Sequence, residues 1–376
     1  MAGIYIHVPF CVKACFYCDF HFSTSLANKT KLVNALLKEI ELRKNYLENE
    51  SIETIYFGGG TPSLLSQNEL FSIINAIAKN FKIAPHAEIT LEANPDDIDT
   101  KKLLEFKQSA INRLSIGVQS FVQEHLKWMN RAHNSMQAIN CIIMAQDAGF
   151  ENLNIDLIYG FNQLDESQWR KNLATFFQLN IPHLSAYSLT IEEKTALSSF
   201  IKSGKEPKLK DYHALQHFRI LTEQMLLNGY EHYEISNFAK TGKYSRHNTS
   251  YWFGKKYLGI GPSAHSFNGL ERNWNIANNA VYIKKIEQNE LPQETEILSL
   301  ANRFNEKIMV SLRTQWGLDL NEIKEIFGAS FFQLLINEAQ EHLKNENLHL
   351  QHNRLFLTTK GKEIADLVAS DLFWVE

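Results

Sequence analysis

The sequence predicts an α/β protein: a TIM-like but partial (β/α)6 barrel followed by a small helical, winged-helix-like C-terminal domain. Two observations carry this reading. Strand-like and helix-like stretches alternate six times before residue 190, which calls for parallel strands with helices outside. Each strand also runs into glycine, proline or polar residues at its C-terminal end, where a barrel gathers its functional groups. Alternation alone also admits a doubly wound sheet. The strand-end pattern favours the barrel, and six units rather than eight leave it open.

The first strand, residues 4–9, is short and apolar. Residues 26–47 then carry Leu32, Leu36, Ile40 and Leu47 at helical spacing. A second strand, 54–57, runs into Gly58-Gly59-Gly60-Thr61-Pro62 and a helix at 67–81. The third, 87–92, ends at Ala93-Asn94-Pro95 before a helix at 100–109. The fourth, 113–118, ends at Gln119-Ser120, with helical pieces at 123–129 and 135–148 and Gly149 placed to stop the second. Strands at 152–158 and 183–189 bracket a helix at 167–179. The barrel core is therefore expected over residues 1–195. After a helix at 211–227 the chain turns polar and aromatic, and residues 196–297 read as a linker region packing back on the barrel mouth. The C-terminal domain, 298–376, reads as helices at 302–312, 320–327 and 331–344, a hairpin at 348–357 and a closing helix at 360–373.

Composition narrows the function. The formal net charge of −4 gives no nucleic-acid footprint. No apolar run reaches membrane-spanning length, and the N-terminus has no basic stretch followed by an apolar core. A cytoplasmic protein that binds no nucleic acid is expected.

Three of the four cysteines, Cys11, Cys15 and Cys18, are spaced C-x3-C-x2-C directly after the first strand. An odd set cannot pair off as disulfides, and thiolates clustered in one loop are usually metal or iron–sulfur ligands. Three is one short of a closed zinc site or a fully cysteine-ligated cluster. On a [4Fe–4S] cube, three cysteines leave one iron open. A zinc knuckle, or reduced thiols with no metal, is the blander alternative. Cys141, inside the helical run, reads as a buried apolar thiol.

This spacing, with Tyr17 before the last cysteine, resembles the radical S-adenosylmethionine superfamily, whose fold is a partial barrel and whose open iron holds the amino and carboxylate groups of S-adenosylmethionine. The resemblance sharpens along the chain. Tyr5-Ile-His-Val-Pro-Phe-Cys11, the 58–62 glycine turn, Glu92 in Leu-Glu-Ala-Asn-Pro, Arg113 to Gln119, Arg131 and Asn154-Ile-Asp156-Leu-Ile-Tyr-Gly are similar to the oxygen-independent coproporphyrinogen III oxidases and their HemW relatives. The resemblance implies that Tyr5, Gly59, Gly60, Thr61, Glu92, Gln119, Arg131 and Asp156 contact S-adenosylmethionine.

Within that group the chain departs from the oxidases. They carry a fourth cysteine where Phe20 stands here, and an N-terminal extension before the first strand. His247-Asn-Thr-Ser-Tyr251-Trp252 also matches the H-N-x-x-Y-W element of HemW proteins. The resemblance therefore implies a heme chaperone that delivers heme to an acceptor, with His247 as heme ligand; a buried loop histidine is the alternative. The expected partners are heme and an acceptor protein, with a respiratory-chain component, a transient membrane contact and a dimer among the options. Two enzyme readings stay open. One is the oxidase, whose reduced cluster would cleave S-adenosylmethionine to a 5′-deoxyadenosyl radical. The other is a radical enzyme on another substrate. No coproporphyrinogen oxidase activity is expected, and the role of His265 is open.

Overall fold

The computed structural model describes residues 1–375. Six parallel strands, β1 (Ala2–Val8), β2 (Ile52–Gly59), β3 (Ile83–Ala93), β4 (Arg113–Gln119), β5 (Leu153–Tyr159) and β6 (His183–Ser188), lie side by side in chain order. Helices Lys29–Leu42, Gln67–Asn80, Thr100–Gln108, Ser135–Asp147 and Glu166–Gln178 follow the first five. Their starts are written in the sequence: Ser66 with Glu69, Asn134 with Gln137 and Asp165 with Gln168 each form a capping box. In the helix Gln67–Asn80, Leu70, Ile73, Ile74 and Ile77 form the buried stripe.

The strands are buried on both faces, for different reasons. Ile4, Ile6, Val8, Ile55, Phe57, Leu91, Leu114 and Ile116 belong to the apolar core shared with the helices. The alternate positions form a polar barrel interior in register: Gly3 pairs with Thr54 and Tyr5 with Tyr56, then Glu92 with Ser115 and Asp156 with Ser185. So much polar surface inside a barrel marks the interior as a site rather than a packed core.

The segment 196–297, expected as a linker, extends the sheet at both ends. After the helix Asp211–Leu227, β8 (Asn237–Ala239) adds antiparallel to β6, and β7 (Glu231–Glu234) pairs antiparallel with β8 at the edge. The chain then crosses to the other end, where β9 (Tyr257–Ile260) pairs parallel with β1 and β10 (His265–Phe267), β11 (Glu271–Asn275) and β12 (Gln293–Ile297) continue antiparallel. The sheet runs β12-β11-β10-β9-β1-β2-β3-β4-β5-β6-β8-β7 and stays open.

The same segment packs on the mouth, where Leu197 N–H donates to Phe16 O of the cysteine loop at 2.8 Å and Phe200 meets the Phe16 ring edge-on, and it reaches the far end of the barrel as well. The short helix Arg246–Trp252 closes the opposite end, against the first inward residues of β1 to β3. His247 donates its backbone N–H to Glu88 Oε1 at 3.1 Å, and its ring reaches Thr54 Oγ1 at 2.7 Å. Beside it, His183 bonds Asn154 Oδ1 at 2.5 Å and the Tyr233 hydroxyl at 2.6 Å, completing a hydrogen-bonded floor.

The C-terminal domain has its own core, built on Phe304, Ile308, Leu312, Ile323 and Leu335. Helix Leu300–Leu312 leads into β13 (Leu318–Asp319), helices Leu320–Phe327 and Ala329–Lys344 follow, and β14 (Leu348–Gln351) and β15 (Arg354–Leu357) complete the small sheet that is the wing. The closing helix is split into Thr359–Lys362 and Ala365–Asp371. The domain holds both flanks of the open sheet: Arg313 pairs with Glu234 of β7 at 3.1 Å, and Glu306 with Arg272 of β11 at 2.9 Å.

Candidate functional site

At the C-terminal ends of β1 to β6 lies a cavity of about 370 Å³. Cys11, Cys15 and Cys18 line it together with Gly59, Gly60, Thr61, Glu92, Gln119, Arg131 and Asp156. The cysteine loop is tied down by the segment across from it: Phe16 N–H donates to Met129 O at 3.2 Å and Asn130 Nδ2 to Ala14 O at 2.7 Å. Arg131 anchors the centre, with Nη1 at 3.4 Å from Cys15 Sγ and Nη2 at 2.6 Å from Asn94 Oδ1 and 2.7 Å from Gly117 O.

Two backbone devices shape the chamber. Gly59 has φ +106°, and a Cβ there would stand 2.5 Å from the His7 ring. Only glycine fits, and its N–H is thereby aimed at Glu92 Oε2, 3.2 Å away. Gln119 takes φ +66° where the β4–β5 register shifts. A side chain in that conformation stores strain, and the bulge turns Gln119 towards the cavity.

The carboxylates are held in an uncommon state. Burial, then the nearby Asp156, pushes Glu92 up to about 7, although the Tyr56 hydroxyl donates to it at 2.7 Å. Burial likewise raises Asp156 to about 6, against the pull of Asn154, whose amide donates at 2.7 Å. Both acids are poised to ionise fully when a cation arrives.

Tyr5 is the exception among the residues expected here. Its ring stacks on Tyr56 and its hydroxyl meets His7 Nδ1 at 3.1 Å, so it lines the neighbouring cleft instead. His247 lies outside the chamber, at the barrel floor. It is 1% exposed, with Nδ1 on Thr54 and Nε2 at 2.8 Å from the Tyr251 hydroxyl, so neither nitrogen is free for iron. Burial followed by Arg113 pushes its pKa down to about 3. Residues missed from sequence include Asn94, which joins Thr61 Oγ1 (3.1 Å) to Arg131, and Tyr187 at the end of β6. Both sit in strand-end punctuation, the one signal that could have found them.

Three cysteines on one loop, a glycine turn on the next strand, and acids and an arginine at later strand ends define a radical S-adenosylmethionine protein. Residues 5–175 match the radical SAM superfamily and residues 298–364 the HemN C-terminal domain. The chain is 31% identical to the heme chaperone HemW of Lactococcus lactis, over 97% of its own length and 95% of that relative. It is 30% identical to the HemW of Bacillus subtilis over 98% of each. The chain belongs to the HemW family. The solved structure of coproporphyrinogen III oxidase (HemN) from Escherichia coli superposes with a TM-score of 0.86, covering 99% of this chain and 90% of that one. At 22% identity that likeness establishes the fold alone.

Superfamily membership implies a [4Fe–4S] cluster and S-adenosylmethionine, and the donor set fits both. Among the described residues no three His, Cys, Asp or Glu side chains converge tightly enough for a single ion. The cysteines of a cubane each take a different iron and stand further apart. Arg131 Nε is buried with no partner among the described residues, an orphan donor that a ligand carboxylate would satisfy. No helix among the described residues is long and apolar enough to cross a membrane.

Proposed function

We propose that this protein binds heme and passes it to an acceptor, and that Cys11, Cys15 and Cys18 hold a [4Fe–4S] cluster with one iron open to S-adenosylmethionine. The observation carrying the reading is the likeness, along nearly the whole chain, to relatives named as heme chaperones. The chamber supports its second half. Gly59, Gly60 and Thr61 offer close backbone approach, Arg131 suits the methionine carboxylate, and Glu92 and Asp156 suit the ammonium or the ribose hydroxyls. When bound, the cluster supplies one-electron chemistry at the open iron. The protein's own contribution is to fix the ligand with the arginine and the two acids and to hold the loop rigid. An acceptor in respiratory-chain maturation agrees with this role.

Phe20, 67% exposed, stands where the oxidases carry their fourth cysteine, which argues against decarboxylation as the function. The test is an anaerobic heme titration of the reconstituted full chain, followed by its Soret band, beside an incubation with coproporphyrinogen III, S-adenosylmethionine and reductant. Saturation near one heme per chain with no protoporphyrinogen formed is expected. Catalytic formation of protoporphyrinogen, or absence of saturable heme binding, would overturn the proposal.

A further inference from the structure

Beside the chamber lies a second, larger cavity of about 840 Å³, bounded by the inner faces of β1, β9, β10 and β11 and by helices Leu300–Leu312 and Leu320–Phe327. That size is within the roughly 300–1,000 Å³ of small-molecule sites, and its aromatic lining suits a flat apolar ligand. Trp252, Phe253, Phe267 and Phe327 supply the aromatic surface. The chamber, with less than half the volume and the cysteines, Arg131 and the two acids on its wall, is assigned to the nucleotide.

The polar groups of the cleft are incomplete in a particular way. Arg272 and Lys307 are each neutralised, by Glu306 at 2.9 Å and Glu322 at 2.7 Å. Arg303, on the same helix face as Lys307 and Val310, has no carboxylate within ion-pair reach among the described residues, and its buried Nε has no hydrogen-bond partner among them. Trp252 Nε1, on the same wall, is a second donor with no partner among the described residues. Buried donors left unpaired in this way are costly unless a ligand completes them.

Three histidines face the cleft, and their hydrogen bonds separate them. His7 is closed, with Nδ1 on the Tyr5 hydroxyl and Nε2 at 3.0 Å from His21 O. His21 commits Nε2 to Asn279 Oδ1 at 2.7 Å. His265 has no hydrogen-bond partner on either ring nitrogen among the described residues, and its ring lies stacked at 29° to Trp274. Burial, then Arg272, lowers its pKa, so the imidazole keeps a lone pair at neutral pH.

We propose that heme is carried in this interdomain cleft, with its iron on His265 and a propionate on Arg303. The placement rests on the heme-binding reading above and adds the site to it. It also assigns the C-terminal domain a task, because the helix bearing Arg303 forms one wall. Phe20 and Asp19 line both cavities, so the cluster loop is the partition between heme and nucleotide.

The test is an anaerobic titration of the reconstituted full chain with heme and, separately, with iron-free protoporphyrin IX, for wild type, His265→Ala and Arg303→Gln. His265→Ala is expected to shift the Soret band and weaken heme binding at least about tenfold. It should leave protoporphyrin binding unchanged. Arg303→Gln is expected to weaken both ligands by roughly tenfold, the loss of one charge-assisted hydrogen bond, without moving the Soret band. Circular dichroism checks that both variants fold; the His265 ring lies on the cleft wall outside the apolar core, so its loss leaves the core intact. Wild-type binding that neither substitution alters would overturn this placement while leaving heme binding standing. A wild type that binds no heme would overturn the heme reading and the placement with it.

Discussion

His247 Nδ1 lies 2.7 Å from Thr54 Oγ1, at the floor of the barrel. Gly3 makes the contact possible: a Cβ there would stand 2.8 Å from that hydroxyl and 3.2 Å from the imidazole. The ring also stacks on Tyr56, with centroids 5.0 Å apart. The histidine of the HNxxYW element is thus a wedge joining the helix Arg246–Trp252 to β1 and β2. His247→Ala should lower the unfolding free energy by about 2–4 kcal/mol, from lost packing and an orphaned Thr54 hydroxyl. Urea denaturation measures this. The folded variant should keep wild-type heme affinity; wild-type stability with heme binding lost would return His247 to the heme site.

The same ring makes the fold sensitive to acid. Its pKa is about 3 in the native state against 6.5 as an ordinary histidine. Between those values the unfolded chain binds a proton that the native chain refuses. The stability this residue contributes is complete above pH 6.5 and is lost as pH falls towards 3. His247→Gln should flatten the fall in stability over that window. His133 and His232, both also near 3, keep part of the slope. Identical slopes for wild type and variant, by denaturation at a series of pH values, would refute this.

The six βα units and the three cysteines were legible because each is a local signal: capping boxes, apolar stripes and strand-end turns within a few residues of one another. What escaped was non-local. β9 pairs with β1 across some 250 residues of chain, from Gly3 to Tyr257, and its four residues, Tyr257–Ile260, alternate with nothing that marks a strand. Strands of three to five residues such as β8, β10 and β11 are defined by the edges they join. His247 misled for a related reason. A histidine among aromatics has the same composition whether it faces a ligand or a floor, and of the Gly3–Thr54 pair that decides it even the nearer member, Thr54, lies 193 residues upstream. Arg303 gave no signal, because an arginine in an amphipathic helix normally faces water.

Iron content should divide the cysteines. Cys11, Cys15 and Cys18 line the chamber, whereas Cys141 is fully buried and spends its S–H on Ala138 O at 3.2 Å. Serine at any of the first three should abolish or sharply reduce iron and sulfide after anaerobic reconstitution. Cys141→Ser should retain the wild-type iron content and lose some stability from the buried site. Iron content unchanged in Cys15→Ser would remove the loop as the cluster site.

Gly59→Ala tests the glycine turn by sterics alone. The new Cβ would meet the His7 ring at 2.5 Å, at a φ of +106° that alanine avoids. The substitution should destabilise by about 2–4 kcal/mol from clash and backbone strain together. It should also displace the N–H that faces Glu92 and so weaken S-adenosylmethionine binding. Thermal denaturation and equilibrium dialysis separate the two effects, and unchanged values in both would show the turn to be dispensable.

On the proposed function, Glu92 should link pH to ligand binding with opposite signs for the free and loaded protein. Burial holds its carboxyl at about 7, so the empty native state keeps the proton to higher pH than an ordinary glutamate. The associated stability is present below 4.5 and lost as pH rises through 7. Glu92→Gln should therefore stabilise the ligand-free protein at pH 8. Binding runs the other way, because the cationic ligand prefers the ionised acid. Affinity for S-adenosylmethionine should rise between pH 6 and 8 in the wild type. In Glu92→Gln that rise should shrink, leaving only the contribution of Asp156, poised near 6. At pH 8 the variant should bind roughly tenfold more weakly, the equivalent of one charge-assisted hydrogen bond. A variant that binds as tightly as wild type across this range would show that the acid at the end of β3 serves the barrel interior and not the nucleotide.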